Sequence, residues 1–284
     1  MIVLSEKTSM RVGGPALEFY EPEDEAGFAA CVHGLYKAEK PYFVLGNGTN
    51  VIVRDGGYPG AVISTLKALR GIDADDDGRI VCGAGEPLSR LCRFAAEQGL
   101  SGLEELSGIP GTVGGAVYMN AGAYESDISS VLESVRAYDL DNENIVMLTY
   151  IECEFGYRNS VFKRKPMIVL SAVFTLLPGN REDIEAKMAE FTRLRNEKQP
   201  VEMASAGSFF KRPEGDYAGR LIEAAGMKGA RVGGAQVSEQ HAGFIVNTGG
   251  ATAADVLALA EKVKSKVFEM FGVELEEEPV VIGE

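Results

Sequence analysis

Apolar and polar positions divide the N-terminal part of the chain into one helix and several short strands. Apolar residues recur at helical spacing between Glu23 and Glu39 and stop before Pro41, which predicts an amphipathic helix. Three short apolar runs then predict strands at Phe43 to Leu45, Val51 to Val53 and Ala61 to Ile63. This alternation indicates a β/α lobe.

The middle of the chain has the pattern of an α+β lobe. A helix is predicted from about Pro87 to Gln98, with Leu88, Leu91, Cys92 and Ala95 on one face and Gly99 beyond its end. Strands are predicted before and after it, at Arg79 to Cys82, Ser134 to Leu140, Ile145 to Leu148 and Met167 to Leu177.

A new lobe is predicted to begin near residue 179. Asn180 can cap a helix that runs to about Lys198. A second helix, Thr252 to Phe271, has Asp255 three positions after its capping residue and Gly272 after its last turn. The closing segment, Val273 to Gly283, is expected to be a strand that returns to the main body.

Composition and charge exclude several classes of function. The chain has 284 residues, 28 of them basic and 42 acidic, and a net charge of −14. Nucleic acids and anionic membranes attract a positive field, so neither is an expected partner. The longest apolar stretch falls short of the roughly 20 residues that span a bilayer. The first residues lack the pattern of a signal peptide, so a cytoplasmic protein with reduced cysteines is expected.

Two segments carry candidate chemistry for binding an anion. Ala206 to Pro213 places a hydroxyl, an ammonium and a guanidinium close together behind Gly207. Ser107 to Gly115 contains four glycines, which suit a close approach of backbone amides to a phosphate. This second segment is neither a Rossmann fingerprint nor a P-loop. Gly46 to Asn50, taken alone, favours a hairpin turn or another connection between strands.

Other chemistries have weaker support in the sequence. Ser208 and Lys211 match an S-x-x-K pattern, but the companion motifs of the penicillin-recognising enzymes are absent. The shortage of His and Cys clusters disfavours a catalytic triad and a metal site. By default, the basic residues 158 and 163–165 and the acidic residues 276–278 would be solvated surface.

Together the motifs resemble the UDP-N-acetylenolpyruvoylglucosamine reductase family over nearly the whole chain. The segments that carry this resemblance are Arg11 to Ala16, Leu45 to Asp55, Ser107 to Tyr124, Phe155 to Lys163, Ser205 to Pro213, Gly233 to Asn247 and Leu275 to Gly283. The short connection between Arg158 and the strand from Met167 resembles the family's shorter subtype, which lacks an extra tyrosine-bearing loop.

The resemblance implies an α+β fold of the vanillyl-alcohol-oxidase (PCMH) type, with two FAD lobes and a third α+β lobe for substrate. The implied regions are 1–65 and 66–178 for FAD, 179–272 for substrate, and 273–284 as a C-terminal strand returning to the active site. The implied activity is that of UDP-N-acetylmuramate dehydrogenase. It reduces UDP-N-acetylglucosamine enolpyruvate to UDP-N-acetylmuramate for peptidoglycan synthesis, with FAD and NADPH, as a cytoplasmic monomer.

The resemblance also assigns roles to residues. Arg158 would stabilise negative charge, Ser208 would protonate C2 of the enolpyruvyl group, and Glu278 would assist. Lys211, Arg212 and Gln236 would lie near the UDP-sugar, and no residue would bind a metal. The implied FAD contacts are Gly46, Asn47, Gly48, Thr49, Asn50, Ser107, Ile109, Pro110, Gly111, Thr112, Gly114, Gly115, Asn120 and Gly122.

Three positions depart from the usual family pattern, namely Val280, Glu125 and Ala204. Two alternatives stand beside the reductase. One is a flavin oxidase or dehydrogenase of the same superfamily with another substrate. The other is an FAD- or nucleotide-binding homologue with impaired catalysis.

Overall fold

Four helices, those beginning at Glu25, Leu88, Arg181 and Ala253, lie close to their predicted positions in the protein, seen in a computed structural model that describes residues 2–75 and 77–284. The short helices that begin at Val113 and Ala218 were not predicted. In chain order the helices are α1 (Glu25–Lys37), α2 (Leu88–Glu97), α3 (Val113–Met119), α4 (Arg181–Lys198), α5 (Ala218–Ala224) and α6 (Ala253–Phe271). No helix among the described residues is long and apolar enough to cross a membrane.

The strands are short and spread over most of the chain. In chain order they are β1 (Ala16–Tyr20), β2 (Tyr42–Leu45), β3 (Val51–Val53), β4 (Tyr58–Ser64), β5 (Ile72–Ala74), β6 (Arg79–Gly83), β7 (Leu100–Ser101), β8 (Gly122–Ala123), β9 (Ser126–Asp127), β10 (Leu132–Asp139), β11 (Asn144–Thr149), β12 (Met167–Thr175), β13 (Leu177–Pro178), β14 (Ala204–Ser208), β15 (Arg231–Val232), β16 (Ala235–Val237), β17 (Phe244–Asn247) and β18 (Val280–Ile282).

The chain divides into two compact units. Unit 1 comprises Met1–Glu18, Gly48–Gly60 and Arg195–Glu284, and unit 2 comprises Phe19–Asn47 and Ala61–Leu194. The division crosses the Gly46 to Asn50 segment between Asn47 and Gly48. The four regions expected from the sequence remain a prediction.

Unit 2 is built on a five-stranded sheet in the order β11-β10-β12-β6-β5. These neighbours are antiparallel. The predicted inner face of α2 is confirmed, because Leu88, Leu91, Cys92 and Ala95 are all buried in the core of this unit. Burial raises the pKa of the Cys92 thiol to about 12 and makes that thiol unreactive at neutral pH.

Unit 1 contains a four-stranded sheet in the order β14-β17-β16-β15, and α6 contributes its apolar face to the core of this unit. The predicted capping box of α6 is confirmed: Thr252 Oγ1 accepts from the backbone of Asp255, whose carboxylate accepts from the backbone of Thr252. Gly272 ends the helix in the left-handed conformation, with φ of 68°. Asp55 adds a longer-range anchor, because its carboxylate accepts from Ala253 N at 2.8 Å.

The closing strand is shorter than predicted. Only Val280–Ile282 is a strand, and it pairs in parallel with β3. Pro279 lacks the N–H that a longer ladder would require.

Of the two forms expected for Gly46 to Asn50, the structure shows a connection between strands, from β2 to β3, and not a hairpin. The two strands do not pair with each other, because β2 pairs in parallel with β4 while β3 pairs in parallel with β18. One local expectation is wrong. The last part of Ser107 to Gly115 is not a loop, because it forms the first turn of α3. The helix was not predicted because the paired glycines at 114 and 115 have low helix propensity. It forms with Thr112 as its N-cap, whose hydroxyl accepts from Gly115 N at 3.3 Å.

Candidate active site

The first residues of one predicted FAD-binding segment, Gly46 and Asn47, lie beside a second one, Ser107 to Gly115, in unit 2. The Asn47 amide donates a hydrogen bond of 2.7 Å to the carbonyl of Pro110. At Gly46 a Cβ would overlap the hydroxyl of Thr112, so only glycine fits there. The two segments therefore meet through the side chains of Asn47 and Thr112, at a point where residue 46 has no side chain of its own. This glycine cradle fits a pyrophosphate-containing cofactor such as FAD, whose phosphates need close backbone approach.

A buried ionic cluster supports the start of α3 from behind. The backbone N–H of Val113 donates to the carbonyl of Glu86 at 2.8 Å. The side chain of Glu86 is only 1% exposed, and its carboxylate accepts from Arg90 at 2.9 Å and from Gly71 N at 2.9 Å. Arg70 lies 3.1 Å from the same carboxylate. These partners hold the Glu86 side chain in place, and the carbonyl of the same residue anchors the first turn of α3.

A second carboxylate fixes the chain that enters Ser107 to Gly115. Burial opposes ionisation of Glu104, but hydrogen bonds from the Ser101 hydroxyl and the Gly102 N–H outweigh it and hold the pKa below its usual value. The hydroxyl of Ser107 donates to the carbonyl of Glu104 at 2.7 Å. Ser107, the first residue of the glycine-rich segment, is therefore held in place through Glu104.

The second half of the Gly46 to Asn50 segment belongs to unit 1. Gly48 has a positive φ of 64°, and a Cβ there would overlap the backbone of Lys7 and Thr8. The amide of Asn50 donates to the carbonyl of Glu278 at 3.3 Å, and the carbonyl of Asn50 accepts from Val280 N at 2.9 Å. Asn50 thus holds the backbone on both sides of Pro279.

Arg158 lies on a tight turn in unit 2. Its φ is 52°, in the left-handed region, and the flanking residues Gly156 and Asn159 exchange two backbone hydrogen bonds of 3.1 Å. The guanidinium donates to the carbonyls of Asn120 at 3.5 Å and Gly122 at 3.1 Å. These contacts orient the fork of the guanidinium, so the default of a solvated arginine is wrong.

The side chain of Asn120 is bonded to protein groups. The backbone of Asn120 is in the left-handed conformation, with φ of 44°. Its Nδ2 donates to the carbonyl of Gly156 at 3.1 Å and to Asp127 at 3.2 Å, and its Oδ1 accepts from Ser129 N at 3.0 Å. Asn120 therefore joins the end of α3 to the turn of Arg158, and its predicted contact with FAD stays a prediction.

Sequence reasoning missed two side chains that hold this same turn. Ser160 is fully buried and donates to the carbonyl of Tyr118 at 2.7 Å. Lys163 donates from its ammonium to the carbonyl of Arg158 at 2.7 Å. The default for the basic run 163–165 is solvated surface, and charge alone does not distinguish Lys163 from Arg164 and Lys165.

Ser208 and Glu278 lie on adjoining backbone segments of unit 1. Ser208 is the exposed last residue of β14, and Gly207 before it has a positive φ of 79°. The N–H of Glu278 donates to the carbonyl of Phe209 at 2.9 Å. The structure thus brings these two predicted catalytic residues together, and places the third, Arg158, in unit 2.

The three predicted substrate-binding residues also belong to unit 1. Lys211 contacts the carboxylate of Glu276, and its N–H donates to the carbonyl of the same residue at 2.8 Å. Arg212 stacks 4.5 Å from the ring centroid of Tyr217. Gln236 is buried, and its carbonyl oxygen accepts from Arg231 at 3.0 Å. Within the acidic run 276–278, Glu276 is exposed while Glu277 and Glu278 are half-buried, so the expectation of a solvated tail holds only for Glu276.

Comparison with known proteins places this site in a class. Residues 16–148 match the FAD binding domain family. This range includes the glycine cradle and Asn120. A solvent-stable cholesterol oxidase shares the fold over 61% of this chain and 37% of its own, with a TM-score of 0.50 and 14% identity. The chain is therefore an α+β flavoprotein with an FAD-binding fold of the vanillyl-alcohol-oxidase type.

The remaining matches define the family. Residues 199–282 match the UDP-N-acetylenolpyruvoylglucosamine reductase C-terminal domain. Reductases of that name from Clostridium botulinum and Caldanaerobacter subterraneus are 45% and 46% identical over 99% and 98% of this chain, and over 91% of their own length. The solved structure of the reductase from Thermus caldophilus is 39% identical with a TM-score of 0.84, covering 99% of this chain and 98% of that one. The chain belongs to the UDP-N-acetylenolpyruvoylglucosamine reductase family, which confirms the resemblance seen in the sequence.

Gly46→Ala is expected to abolish tight FAD binding. The added methyl group would overlap the Thr112 hydroxyl and push the two segments of the cradle apart. The measurement is the amount of flavin retained after gel filtration. Gly34→Ala in α1 is the matched control, because a Cβ there meets nothing within 4 Å; it should retain flavin and be as stable as the parent or more so. Full flavin content in Gly46→Ala would contradict the placement of the cofactor.

Proposed function

We propose that this protein reduces UDP-N-acetylglucosamine enolpyruvate to UDP-N-acetylmuramate in the cytoplasm, with NADPH as reductant. The observation that carries the proposal is the 45% identity to a reductase of this family over 99% of the chain. FAD, when bound, supplies the carrier that accepts hydride from NADPH and passes it to C3 of the enolpyruvyl group. Gly46, Asn47 and Thr112 would hold it through the glycine cradle.

Arg158 is proposed as the group that stabilises negative charge on the substrate. Addition of hydride at C3 leaves charge at C2 and on the adjoining carboxylate. A guanidinium keeps its proton and offers a planar fork of donors that matches a carboxylate. The anchored turn around Arg158 supports this role, because a donor that is already oriented costs no reorganisation during reaction.

Ser208 is proposed as the acid that donates its proton to C2. A serine hydroxyl is a weak acid, but a carbanion next to a carboxylate is a strong base, so the transfer is feasible at short distance in an oriented site. The exposed position of Ser208 at the end of β14 makes its hydroxyl accessible to a ligand. Gly207, with its positive φ, lies within the register shift between Ser205 and Ser208, and Ser208 itself pairs with Phe244 at the end of the ladder.

Glu278 is proposed to assist proton delivery by orienting the intermediate. Its backbone is bonded to Phe209, the residue after Ser208, and to the side chain of Asn50. Lys211, Arg212 and Gln236 are proposed to lie along the UDP-sugar. Lys211 would exchange its contact with Glu276 for a phosphate oxygen, as a point charge.

The test of the proposed function is consumption of NADPH by the FAD-loaded protein without oxygen. Consumption that requires UDP-N-acetylglucosamine enolpyruvate, and yields UDP-N-acetylmuramate, is expected. A flavin oxidase or dehydrogenase with another substrate would reduce its flavin but would not turn over with this sugar. A homologue with impaired catalysis would bind FAD and consume no NADPH beyond one equivalent. Either result would overturn the proposal.

A further inference from the structure

Lys163 makes two contacts that a solvated surface lysine would not make. Its ammonium donates a hydrogen bond of 2.7 Å to the backbone carbonyl of Arg158. The same nitrogen lies 5.5 Å from the ring centroid of Tyr118, within range of a cation–π contact. The side chain is half-buried, whereas Arg164 and Lys165 are exposed. The ammonium is therefore fixed beneath the backbone of Arg158.

The backbone of Arg158 needs such support. Residues other than glycine rarely adopt the left-handed conformation, and a chain keeps them there only where the surroundings overdetermine it. Arg158 has φ of 52°. The carbonyl that Lys163 holds belongs to the strained residue itself, whereas Asn120 holds the carbonyl of Gly156 and Ser160 holds the carbonyl of Tyr118. Of these three side chains, Lys163 alone bonds to the carbonyl of Arg158. The N–H of the same peptide, that of Asn159, donates to the carbonyl of Gly156 at 3.1 Å.

We propose that Lys163 is a positioning residue for Arg158, an inference that rests on the proposed function. A hydrogen bond from an ammonium to a carbonyl is stronger than one between neutral groups, because the donor carries a charge. Lys163 uses this bond to keep the Arg158 turn in the left-handed conformation and thereby fixes the direction of the guanidinium. Without it, the turn would relax and the guanidinium would move away from the enolpyruvyl carboxylate.

The neighbouring basic residues supply a matched control. Arg164 is bonded to Glu154 and Asn159, so it belongs to the turn. Lys165 is exposed and next in sequence. Lys165→Met removes the same charge and adds the same side chain as Lys163→Met, without touching the carbonyl of Arg158.

The experiment compares the two half-reactions by rapid mixing without oxygen. In Lys163→Met, reduction of the flavin by NADPH should match the parent, while reoxidation by UDP-N-acetylglucosamine enolpyruvate should slow by about 10- to 100-fold, as expected for a displaced catalytic group. Lys163→Arg keeps a cationic donor and should recover most of the lost rate. Lys165→Met should behave as the parent in both half-reactions.

Calorimetry supplies a second readout that does not depend on turnover. UDP-N-acetylmuramate retains the carboxylate that Arg158 would bind, so its dissociation constant should rise about tenfold in Lys163→Met, as for one lost hydrogen bond to a charged group. It should be unchanged in Lys165→Met. If Lys163→Met fails to hold FAD, Lys163→Gln, which removes only the charge and some length, takes its place with the same expectations.

The outcomes separate this inference from the proposed function. If the parent enzyme is not reoxidised by the enolpyruvyl sugar, the proposed function fails. If the parent is reoxidised and Lys163→Met is reoxidised equally fast, only the positioning role fails. Equal slowing of both half-reactions without rescue by Lys163→Arg would also overturn that role, because it would mark Lys163 as a general structural residue.

Discussion

Ser208→Ala is expected to slow reoxidation of the flavin by UDP-N-acetylglucosamine enolpyruvate by about 10²- to 10⁴-fold, the usual contribution of a general acid. Reduction of the flavin by NADPH should stay as fast as in the parent, because that half-reaction needs no proton at C2. Both rates can be followed in the same rapid-mixing instrument through the absorption of oxidised flavin. The loss should appear in reoxidation alone.

The structure makes this substitution easy to interpret. The Ser208 side chain is exposed, so its loss leaves no cavity and should leave thermal stability unchanged. Ser205→Ala is the matched control, since Ser205 lies in the same strand and its carbonyl, not its side chain, accepts from Ser9. Reoxidation of Ser208→Ala at the parent rate would remove Ser208 from the mechanism and favour a different substrate.

Arg158→Met is expected to lower the rate of reoxidation by about 10²- to 10³-fold, the effect of removing one donor that stabilises developing charge. Arg158→Lys should fall between this variant and the parent, because it keeps the charge and loses the planar fork. Flavin content should be retained in both, since Asn120 and Ser160 continue to hold the turn.

Lys165→Met provides the comparison for Arg158→Met. Lys165 follows the same turn in sequence and its side chain is exposed. Its loss should change reoxidation little, because an exposed charge contributes little. Equal effects at positions 158 and 165 would mean that general positive charge, rather than an oriented guanidinium, serves the reaction.

The three departures from the usual family pattern are accommodated locally. Val280 pairs with Val51 in the parallel ladder of β18 and β3. The N–H of Glu125 donates to the Glu105 carboxylate at 2.9 Å. Ala204 begins β14, opposite Asn247. Each residue thus has a defined place in the fold, and none displaces a proposed catalytic group.

Local signals predicted the four longer helices well because their determinants lie within a few residues, whereas the short helices α3 and α5 were not predicted. The capping box of α6 needs only Thr252 and Asp255, and the buried face of α2 follows from spacing alone. Strand pairing could not be predicted in the same way. The partner of β3 is β18, more than two hundred residues later in the chain, and nothing in Gly46 to Asn50 specifies it.

The support of Arg158 was hidden for a similar reason. Arg158 and Ser208 were found through the family motifs that contain them. Lys163 lies in one of those motifs, but its role depends on the left-handed backbone of Arg158 and on Tyr118, which is distant in sequence. The sequence predicts solvent exposure for the whole basic run, and only the structure shows that Lys163 is half-buried and bonded to the carbonyl of Arg158.

The most direct test of the account is a single turnover without oxygen. The FAD-loaded protein is reduced with one equivalent of NADPH and then mixed with UDP-N-acetylglucosamine enolpyruvate, while the absorption of oxidised flavin and the mass of the sugar are followed. The absorption should return, and the sugar should gain two hydrogens to become UDP-N-acetylmuramate. Flavin that stays reduced, with the enolpyruvyl sugar unchanged, would contradict it.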